Sequence, residues 1–414
     1  MTTEKEGLTK IKPYKFRFGV QDNLDHPRPQ ITKLDDRYHH TYLVGKTGMG
    51  KSSLMERMAQ YDIEQGHAVI FIDPKGDSVK KLYALSKDPI YISIECPYVI
   101  NPIDKPNYHE DEIISEFVQI LDVLITLTTP VNPPSSIWMK EVVGNAIRII
   151  DKPENKNVKW LVDFLQYDSV RAKIVPFIKD PKLKYYWEDF DSTEKGGRTP
   201  KHREKILTAQ RMASRLQEIS QGRMTNFVVG PNELDISDIV DKGKVVLVDT
   251  SRMSPNARIY LSNLIVYSVL AYAEFATIKP KPLLVYVDEF QLVVSNWFAD
   301  LLARSRSRLV GFTLAHQSFA QIPKNILSVI LDVVHAMVCF RTGDEVAMRL
   351  SHYFDVKPID LFNLKKHFAW VRLGIDNTLT HIYKPLEVEL IDTPTFKPSK
   401  ETEEILDFLG DDLV

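Results

Sequence analysis

The chain has 414 residues, enough for two domains or for one domain with a large insertion, and its 44% hydrophobic content is ample for a packed core. A formal charge of -2 argues neither for nor against nucleic-acid binding, because a local basic surface can coexist with a neutral total. Cys96 and Cys339 lie far apart and lack metal-ligand spacing, which excludes a disulfide framework and favours a reducing compartment, so we expect a cytoplasmic protein.

The first 38 residues are polar and contain prolines, and we predict an N-terminal arm or a small edge element. Its beginning lacks the apolar stretch of a signal peptide or membrane anchor. The most apolar segment, residues 259–275, contains Asn263 and Glu274 and is shorter than the roughly 20 residues of a membrane span. We therefore predict a buried crossover helix there and no integral membrane segment.

A phosphate-binding loop is predicted directly after the short apolar run 41–44. The sequence from Gly45 to Ser53 satisfies G-x-x-x-x-G-K-[ST], and a helical apolar face follows it. Glycines let backbone N–H groups approach a polyphosphate, and the N-terminus of the next helix favours negative charge. The predicted nucleotide-binding residues are Gly45, Lys46, Thr47, Gly48, Met49, Gly50, Lys51, Ser52 and Ser53, whereas the alternative is a plain glycine-rich turn. Lys51 would reach the β and γ phosphates and Ser52 would ligate Mg²⁺.

Further along, continuous apolar runs at 68–72 and 91–94 are typical of parallel strands covered on both faces. From about 105 to 235 the apolar spacing becomes helical, as at Ile113, Phe117 and Ile120, which predicts an inserted all-α domain. Strand runs resume at 244–249, 283–287, 309–314 and 336–340, and two shorter runs within 368–383 predict an edge hairpin. Strands alternating with helices predict the α/β class, with a central, mostly parallel sheet flanked by helices.

The strand at 283–287 ends in Asp288 and Glu289, the pattern of a Walker B motif. This order places Asp288 near the Mg²⁺ of Ser52 and Glu289 where it can polarise an attacking water. Asp73 and Asp249 also follow strands and are rivals for these roles. Asp249 is the weaker rival, since threonine rather than glutamate follows it.

Gln317 ends the strand after the Walker B strand, where its amide could sense the γ-phosphate; a surface polar group is the alternative. Three alternate arginines precede that strand and a fourth follows the next one: Arg304, Arg306, Arg308 and Arg341. Such arginines either form a solvated surface or reach the γ-phosphate of a neighbouring subunit as arginine fingers.

These motifs, in this order, resemble the FtsK/HerA superfamily and, within it, the TraG/TraD type IV secretion coupling proteins of conjugation. The resemblance covers most of residues 40–385 and includes the segments 45–53, 73–77, 101–103, 287–290, 302–306 and 314–318. It implies a RecA-like P-loop NTPase core formed by residues 39–104 and 236–390. Residues 105–235 would form the all-α insertion, 1–38 the N-terminal arm and 391–414 an acidic tail.

The resemblance also implies an ATPase that uses ATP and Mg²⁺, assembles as a homo-hexamer and moves DNA through a central channel. Lys51, Glu289, Gln317 and Arg306 would be catalytic, and Ser52 and Asp288 would hold the metal. Arg306 is the preferred trans finger because it lies 11 residues before Gln317, as the family arginine does before its glutamine. Relaxase or secretion-channel proteins are the implied partners.

Coupling proteins usually begin with membrane-spanning helices, which are not predicted here, so partners would recruit this chain to the inner membrane. Its setting could equally be a viral-type DNA packaging motor. A nucleotide-gated recruitment scaffold without pumping activity is the rival class, and a small-molecule P-loop kinase fits less well.

Positive charge surrounds one amphipathic helix in the insertion and could contact DNA phosphates without reading bases. The residues are Lys201, Arg203, Lys205, Arg211, Arg215 and Arg223. A solvated helix face is the alternative. Lys75 and Asp77 could support the nucleotide site from the second strand, or form only a structural turn.

Overall fold

The computed structural model describes residues 14–21, 29–105, 108–128, 136–150, 155–192, 200–217, 219–275, 281–294, 298, 302, 305–385 and 387–394. Within these ranges one sheet of eleven strands forms the centre of the molecule. The strands are β1 (Phe16–Gln21), β2 (Pro29–Thr32), β3 (Thr41–Val44), β4 (Ala68–Asp73), β5 (Ile90–Ile92), β6 (Val245–Asp249), β7 (Leu283–Val287), β8 (Val310–His316), β9 (Ala336–Cys339), β10 (Phe368–Leu373) and β11 (Asp376–Ile382).

The helices fall into three groups along the chain. The first group is α1 (Leu34–Arg37), α2 (Lys51–Glu64) and α3 (Asp77–Leu85). The second group lies between β5 and β6 and comprises α4 (Glu110–Thr128), α5 (Ser136–Ile147), α6 (Val158–Gln166), α7 (Asp168–Ile174), α8 (Pro181–Asp191), α9 (Pro200–Gln217) and α10 (Ile236–Lys242). The third group is α11 (Pro255–Phe275), α12 (Lys324–Val333), α13 (Asp344–Phe354) and α14 (Pro358–Phe362).

The strand order is β2-β1-β11-β10-β9-β3-β8-β7-β4-β6-β5. Seven neighbouring strands, from β9 to β5, are parallel, and the other four pair antiparallel. Strands β4, β6, β7 and β8 are buried along their whole length, which explains their continuous apolar runs. The predicted α/β class with a mostly parallel sheet is confirmed.

The predicted edge hairpin exists as β10 and β11, but it does not lie at the edge of the sheet. Strand β1 pairs with β11, and β2 pairs with β1, so the two N-terminal strands form that edge. The alternation of residues in 368–383 could predict the hairpin, since its pairing is local. It could not predict the pairing of β11 with a strand some 360 residues earlier in the chain.

The helix α11 is the crossover predicted from the most apolar segment, and it is buried along most of its length. Its polar Asn263 donates from its side-chain amide to the carbonyls of Ile259 and Leu292, at 2.7 and 2.8 Å. None of the helices within the described ranges is long and apolar enough to cross a membrane.

Helices α4 to α9 form a compact helical layer of their own, the α-domain (residues 108–217 within the described ranges). Its core includes a cluster of aromatic rings: Trp160 stacks on Phe164 at 5.0 Å between ring centroids, and Trp187 meets Phe164 edge-on at 4.7 Å. Helix α4 packs against α11, which joins the α-domain to the sheet.

Candidate active site

The predicted phosphate-binding loop lies between β3 and α2 and depends on glycine at three positions. Gly45, Gly48 and Gly50 have φ angles of 156°, 76° and 120°, which L side chains rarely adopt. A Cβ on Gly45 would lie 2.6 Å from the Cβ of Phe340, and a Cβ on Gly50 would lie 3.0 Å from Nδ1 of His367. The loop therefore combines positive φ angles with close packing against Phe340 and His367.

Lys51, the first residue of α2, is folded back over the loop. Its Nζ donates to the carbonyl oxygens of Gly45 at 2.5 Å and Lys46 at 3.1 Å. The side chain is only 7% exposed, and this burial lowers its pKa, although the nearby carboxylates of Asp288 and Glu289 oppose the shift. A cation that is poorly solvated and held by neutral carbonyls is well prepared to bind an anion.

Ser52, in the first turn of α2, contacts Asp288, the residue after β7. The Ser52 hydroxyl donates to Oδ2 of Asp288 at 3.1 Å, and Asp288 is buried, which raises the pKa of its carboxyl. Among the described residues no group of three or more His, Cys, Asp or Glu side chains could hold a metal by itself. One hydroxyl and one carboxylate nevertheless fit Mg²⁺, which commonly takes one or two protein ligands together with substrate phosphates and water.

Glu289 follows Asp288 and is held by three donors. Its Oε1 accepts from Nε2 of Gln317 at 2.5 Å and lies 3.3 Å from Nζ of Lys75, while its Oε2 accepts from Nε2 of Gln291 at 2.8 Å. Burial opposes ionisation of this carboxyl, but the hydrogen bonds from Gln291 and Gln317 and the charge of Lys75 lower its pKa overall. Glu289 is therefore a fixed carboxylate at neutral pH.

Gln317 connects this carboxylate to the loop. While its amide nitrogen donates to Glu289, its Oε1 accepts from the hydroxyl of Thr47 at 2.7 Å. The parallel pairing of β7 with β8 brings the two strand ends together, as the order of the motifs predicts. Gln317 thus touches both the predicted base and the predicted phosphate-binding loop.

A buried histidine supports Gln317, and sequence reasoning missed it. His316 accepts a hydrogen bond from the hydroxyl of Tyr42 at Nε2, and its Nδ1–H donates to the carbonyl of Ser318 at 3.1 Å. Burial lowers the pKa of His316 to about 4, so the ring is neutral and both nitrogens are used. The position of His316 beside Gln317 was visible in the sequence, but its pairing with Tyr42 depends on the contact between β3 and β8.

The rival acids Asp73 and Asp249 have structural partners. Asp73 accepts from the backbone N–H groups of Lys75 and Ser78, both at 2.8 Å, and so closes the turn after β4. Asp249 accepts from the hydroxyl of Tyr91 at 2.8 Å and lies under Gly76, where a Cβ would come within 2.7 Å of its oxygens. Both carboxylates stabilise the turns at strand ends.

A cleft of about 620 Å³ opens beside the loop. Residues of the loop line it together with Lys75, Lys81 of α3 and a group from the C-terminal part of the chain: Lys366, His367, Lys384, Pro385, Glu387 and Val388. His367 also donates its backbone N–H to the carbonyl of Met49 at 3.0 Å. The lysines that line the cleft make it suitable for a polyphosphate. The sequence could not assign the C-terminal group to the cleft, because no motif marks that group.

The arginines lie at opposite ends of the parallel strands. Arg306 is exposed and lies before β8, whereas Gln317 and the loop lie after it. A strand of seven residues is about 23 Å long, so Arg306 cannot reach the nucleotide site of its own chain. Arg308 lies in the same short 3-10 helix, and Arg304 is outside the described residues.

Arg341 follows β9, at the carboxyl end of the parallel strands, and lies beside the loop of its own chain. Its carbonyl oxygen accepts from the N–H of Lys46 at 2.7 Å, and its guanidinium lies 5.9 Å from the ring centroid of Phe362.

The predicted basic surface around α9 is present in part. Lys205 is bound to Glu141 at 2.6 Å and lies over the rings of Trp138 and Tyr186. The other residues of that set are exposed: Lys201, Arg203, Arg211, Arg215 and Arg223. Lys205 therefore belongs to the packing of the α-domain, and the rest are available to a ligand.

A family model for the type IV secretion-system coupling protein DNA-binding domain matches residues 32–170. Comparison with curated protein sequences finds no match.

Solved structures match over most of the chain at low sequence identity. The bacterial conjugative coupling protein TrwBdeltaN70 is 14% identical over 89% of each chain, with a TM-score of 0.64. TrwB in complex with ADP and Mg²⁺ is 14% identical over 92% of this chain and 96% of its own, with a TM-score of 0.63. VirB4 of Thermoanaerobacter pseudethanolicus is 13% identical over 89% of this chain and 95% of its own, with a TM-score of 0.61. The predicted resemblance to the type IV secretion coupling proteins is thereby confirmed, through the match of residues 32–170 to their domain model and through a fold shared with TrwB.

Proposed function

We propose that this protein is a DNA-translocating ATPase that acts as a coupling protein in conjugative transfer or a related process. The observation that carries this proposal is the convergence of Lys51, the Ser52–Asp288 pair and the Glu289–Gln317 pair at the carboxyl ends of the parallel strands. TrwB has been solved with the ATP analogue ADPNP and with ADP and Mg²⁺, which supports ATP and Mg²⁺ as the ligands of the same loop here.

Each residue has a separate task in hydrolysis. Mg²⁺ would neutralise phosphate charge and order the β and γ phosphates, and Ser52 and Asp288 are the residues that would hold it. Lys51 exchanges the carbonyls of Gly45 and Lys46 for phosphate oxygens. Glu289, already ionised, orients the attacking water and accepts its proton.

Gln317 couples this chemistry to motion. Because it contacts both Thr47 and Glu289, a change in the loop on loss of the γ-phosphate reaches β8 directly. Strand β8 (Val310–His316) begins just after the 3-10 helix that contains Arg306 and ends just before Gln317, so one strand connects the two residues.

A ring of subunits would complete the site. Arg306 lies too far from the loop of its own chain and is exposed, which supports our proposal that it would serve a neighbour as the arginine finger in a homo-hexamer. DNA would pass through the channel of this ring, and relaxase or secretion-channel proteins at the inner membrane would be the partners.

The test is the rate of ATP hydrolysis with and without single- and double-stranded DNA, together with the mass of the assembly in the presence of nucleotide. We expect DNA to stimulate hydrolysis and nucleotide to favour a hexamer. A stable monomer whose hydrolysis ignores DNA would contradict the proposal. A nucleotide-bound assembly with DNA-independent hydrolysis would favour the recruitment scaffold instead.

A further inference from the structure

The end of the α-domain carries two aromatic side chains that its core does not use. They lie on the α-tip, defined here as residues 173–185, which comprises the end of α7, a 3-10 helix (Val175–Phe177) and the start of α8. Phe177 is 82% exposed and Tyr185 is 71% exposed. In contrast, Trp187 and Phe190, two and five residues after Tyr185 in α8, are buried in the aromatic core. The two exposed rings therefore do not contribute to the packing of the domain.

Lysines surround these rings. The α-tip contains Lys173, Lys179, Lys182 and Lys184, and within the described part of the chain none of them has an ion pair. Lys184 donates to the carbonyl of Pro176 at 3.1 Å, which holds the 3-10 helix against α8 and brings the segments of the two rings together. A cationic, aromatic surface of this kind attracts a polyanion that has flat groups to stack.

The single acid of the α-tip does not neutralise this charge by pairing with a lysine side chain. Asp180 is the N-cap of α8, and its carboxylate accepts from the backbone N–H groups of Lys182 and Leu183 at 2.7 and 3.2 Å. The exposed ammonium groups of Lys173, Lys179 and Lys182 therefore remain available to an external anion.

The aliphatic residues of the α-tip, which include the partly buried Leu183, do not form an exposed apolar surface that could enter a lipid layer. Val175 is buried, and Ile174 and Ile178 are partly buried against the main core. What remains exposed is two separate rings among lysines, which suits stacking better than insertion of a continuous apolar face into a bilayer.

We propose that the α-tip is a binding site for single-stranded nucleic acid, in which Phe177 and Tyr185 stack on bases and the lysines contact phosphates. Bases in a single strand are free to stack on protein rings, whereas bases in a duplex are already stacked on one another. Helix α9 has exposed arginines but no Phe, Tyr or Trp, and its one imidazole, His202, lies against Phe190, so it offers phosphate contacts alone. This inference rests on the proposed function, since it places the strand that the motor would take up.

The test is the affinity of the full chain for a fluorescent single-stranded oligonucleotide and for a duplex of the same length, over a series of salt concentrations. Replacement of both rings, Phe177→Ala with Tyr185→Ala, is expected to weaken single-strand binding at least about tenfold, to leave duplex binding unchanged and to leave the salt dependence unchanged. Replacement of two lysines, Lys179→Gln with Lys182→Gln, is expected to reduce the slope of log affinity against log salt by about 1.4.

Two controls make the result specific. Ile137→Ala removes another exposed apolar side chain of the α-domain, 72% exposed on α5, and should leave both affinities unchanged. Phe177→Trp with Tyr185→Trp keeps two stacking rings and should retain single-strand affinity. The melting temperature of each variant shows whether the fold is intact.

Equal loss of single-strand and duplex binding in the double alanine variant would overturn the proposal, as would unchanged single-strand binding. Binding of vesicles with anionic lipids that depends on the two rings, without ring-dependent oligonucleotide binding, would also overturn it and identify a membrane surface instead. These failures differ from failure of the proposed function, which is measured separately as ATP hydrolysis that ignores DNA.

Discussion

In the proposed mechanism, Glu289 is the residue on which hydrolysis depends. It has a φ angle of 53°, which is unusual for a residue other than glycine, and Gln317, Gln291 and Lys75 hold its side chain. Strained backbone that is fixed by several contacts is common at sites where a side chain must keep one orientation. The carboxylate therefore has one fixed orientation, as the proposed base requires.

The first prediction removes the charge of this carboxylate. Glu289→Gln preserves the size of the side chain and should keep ATP binding, but it should lower kcat by roughly 10²- to 10⁴-fold because the amide cannot accept a proton. Single-turnover hydrolysis and nucleotide binding measure the two effects. Glu64→Gln, at the exposed end of α2, is the control and should hydrolyse ATP normally. Hydrolysis near the wild-type rate in Glu289→Gln would show that another group is the base.

The second prediction concerns Lys75 and pH. Its ammonium is one of the groups that hold the pKa of Glu289 below the ordinary value, so the base stays ionised until the pH falls through that lowered pKa. Lys75→Met removes this charge and raises the pKa of Glu289. The acid limb of kcat/KM should therefore move to higher pH, by about one unit or less because Lys75 is 47% exposed.

Lys75→Arg should restore the wild-type profile, since it keeps the charge. Lys81→Met is the matched control, because Lys81 also lines the cleft but pairs with Glu56 at 3.1 Å. It can change the affinity for nucleotide but should not move the acid limb. An unchanged limb in Lys75→Met would mean that Lys75 has no influence on the base.

At the scale of secondary-structure elements, a buried ion pair joins the N-terminal segment to the nucleotide-binding core. Arg37, at the end of α1, is bound to Asp62 of α2 at 3.3 Å and also donates to the hydroxyls of Tyr286 on β7 and Thr313 on β8. Tyr14, just before β1, donates to the same aspartate at 2.6 Å. Residues near the start of the chain thus help to fix α2, the helix that begins with Lys51.

The third prediction tests this connection. Arg37→Met leaves the carboxylate of Asp62 buried without its cation and should lower the free energy of unfolding by about 3 kcal/mol. Adding Asp62→Asn removes the unpaired charge and should recover part of the loss. Arg252→Met, which breaks the exposed pair with Glu95, should cost about 1 kcal/mol or less. Denaturation followed by circular dichroism compares the variants, and equal losses for Arg37→Met and Arg252→Met would contradict the account.

The elements differ in how far sequence alone could predict them. Strands β4, β7 and β8 are continuous apolar runs, and the motif residues at their ends follow from chain order, so the meeting of Asp288, Glu289 and Gln317 was predictable. The roles of Asp73 and Asp249 were not, because backbone N–H groups and a tyrosine from elsewhere decide them. Likewise, nothing local in the sequence indicates that Arg37 meets Asp62 or that β1 pairs with β11.

At the scale of the whole molecule, the predicted nucleotide site and Arg306 lie at opposite ends of the parallel strands. The chain therefore has the predicted phosphate-binding loop at the carboxyl ends of the parallel strands and an exposed arginine at their amino ends. If subunits pair head to tail through these two surfaces, as we propose, they would close into a ring when the rotation between neighbours allows it.

The fourth prediction uses this arrangement. Arg306→Ala and Lys51→Ala should each abolish most hydrolysis, but mixed assemblies of the two variants should regain activity. In an equal mixture roughly a quarter of the interfaces would combine an intact loop with an intact arginine from the neighbour. Absence of recovery in assemblies shown to be mixed would mean that Arg306 does not act in trans.

Movement along DNA is the most direct test of the central claim, and displacement of a third strand from a DNA triplex measures it. The wild-type protein should release the third strand in the presence of ATP and Mg²⁺, and Glu289→Gln should bind the same DNA without releasing it. If the wild-type protein hydrolyses ATP and binds DNA but leaves the third strand in place, the protein does not translocate DNA.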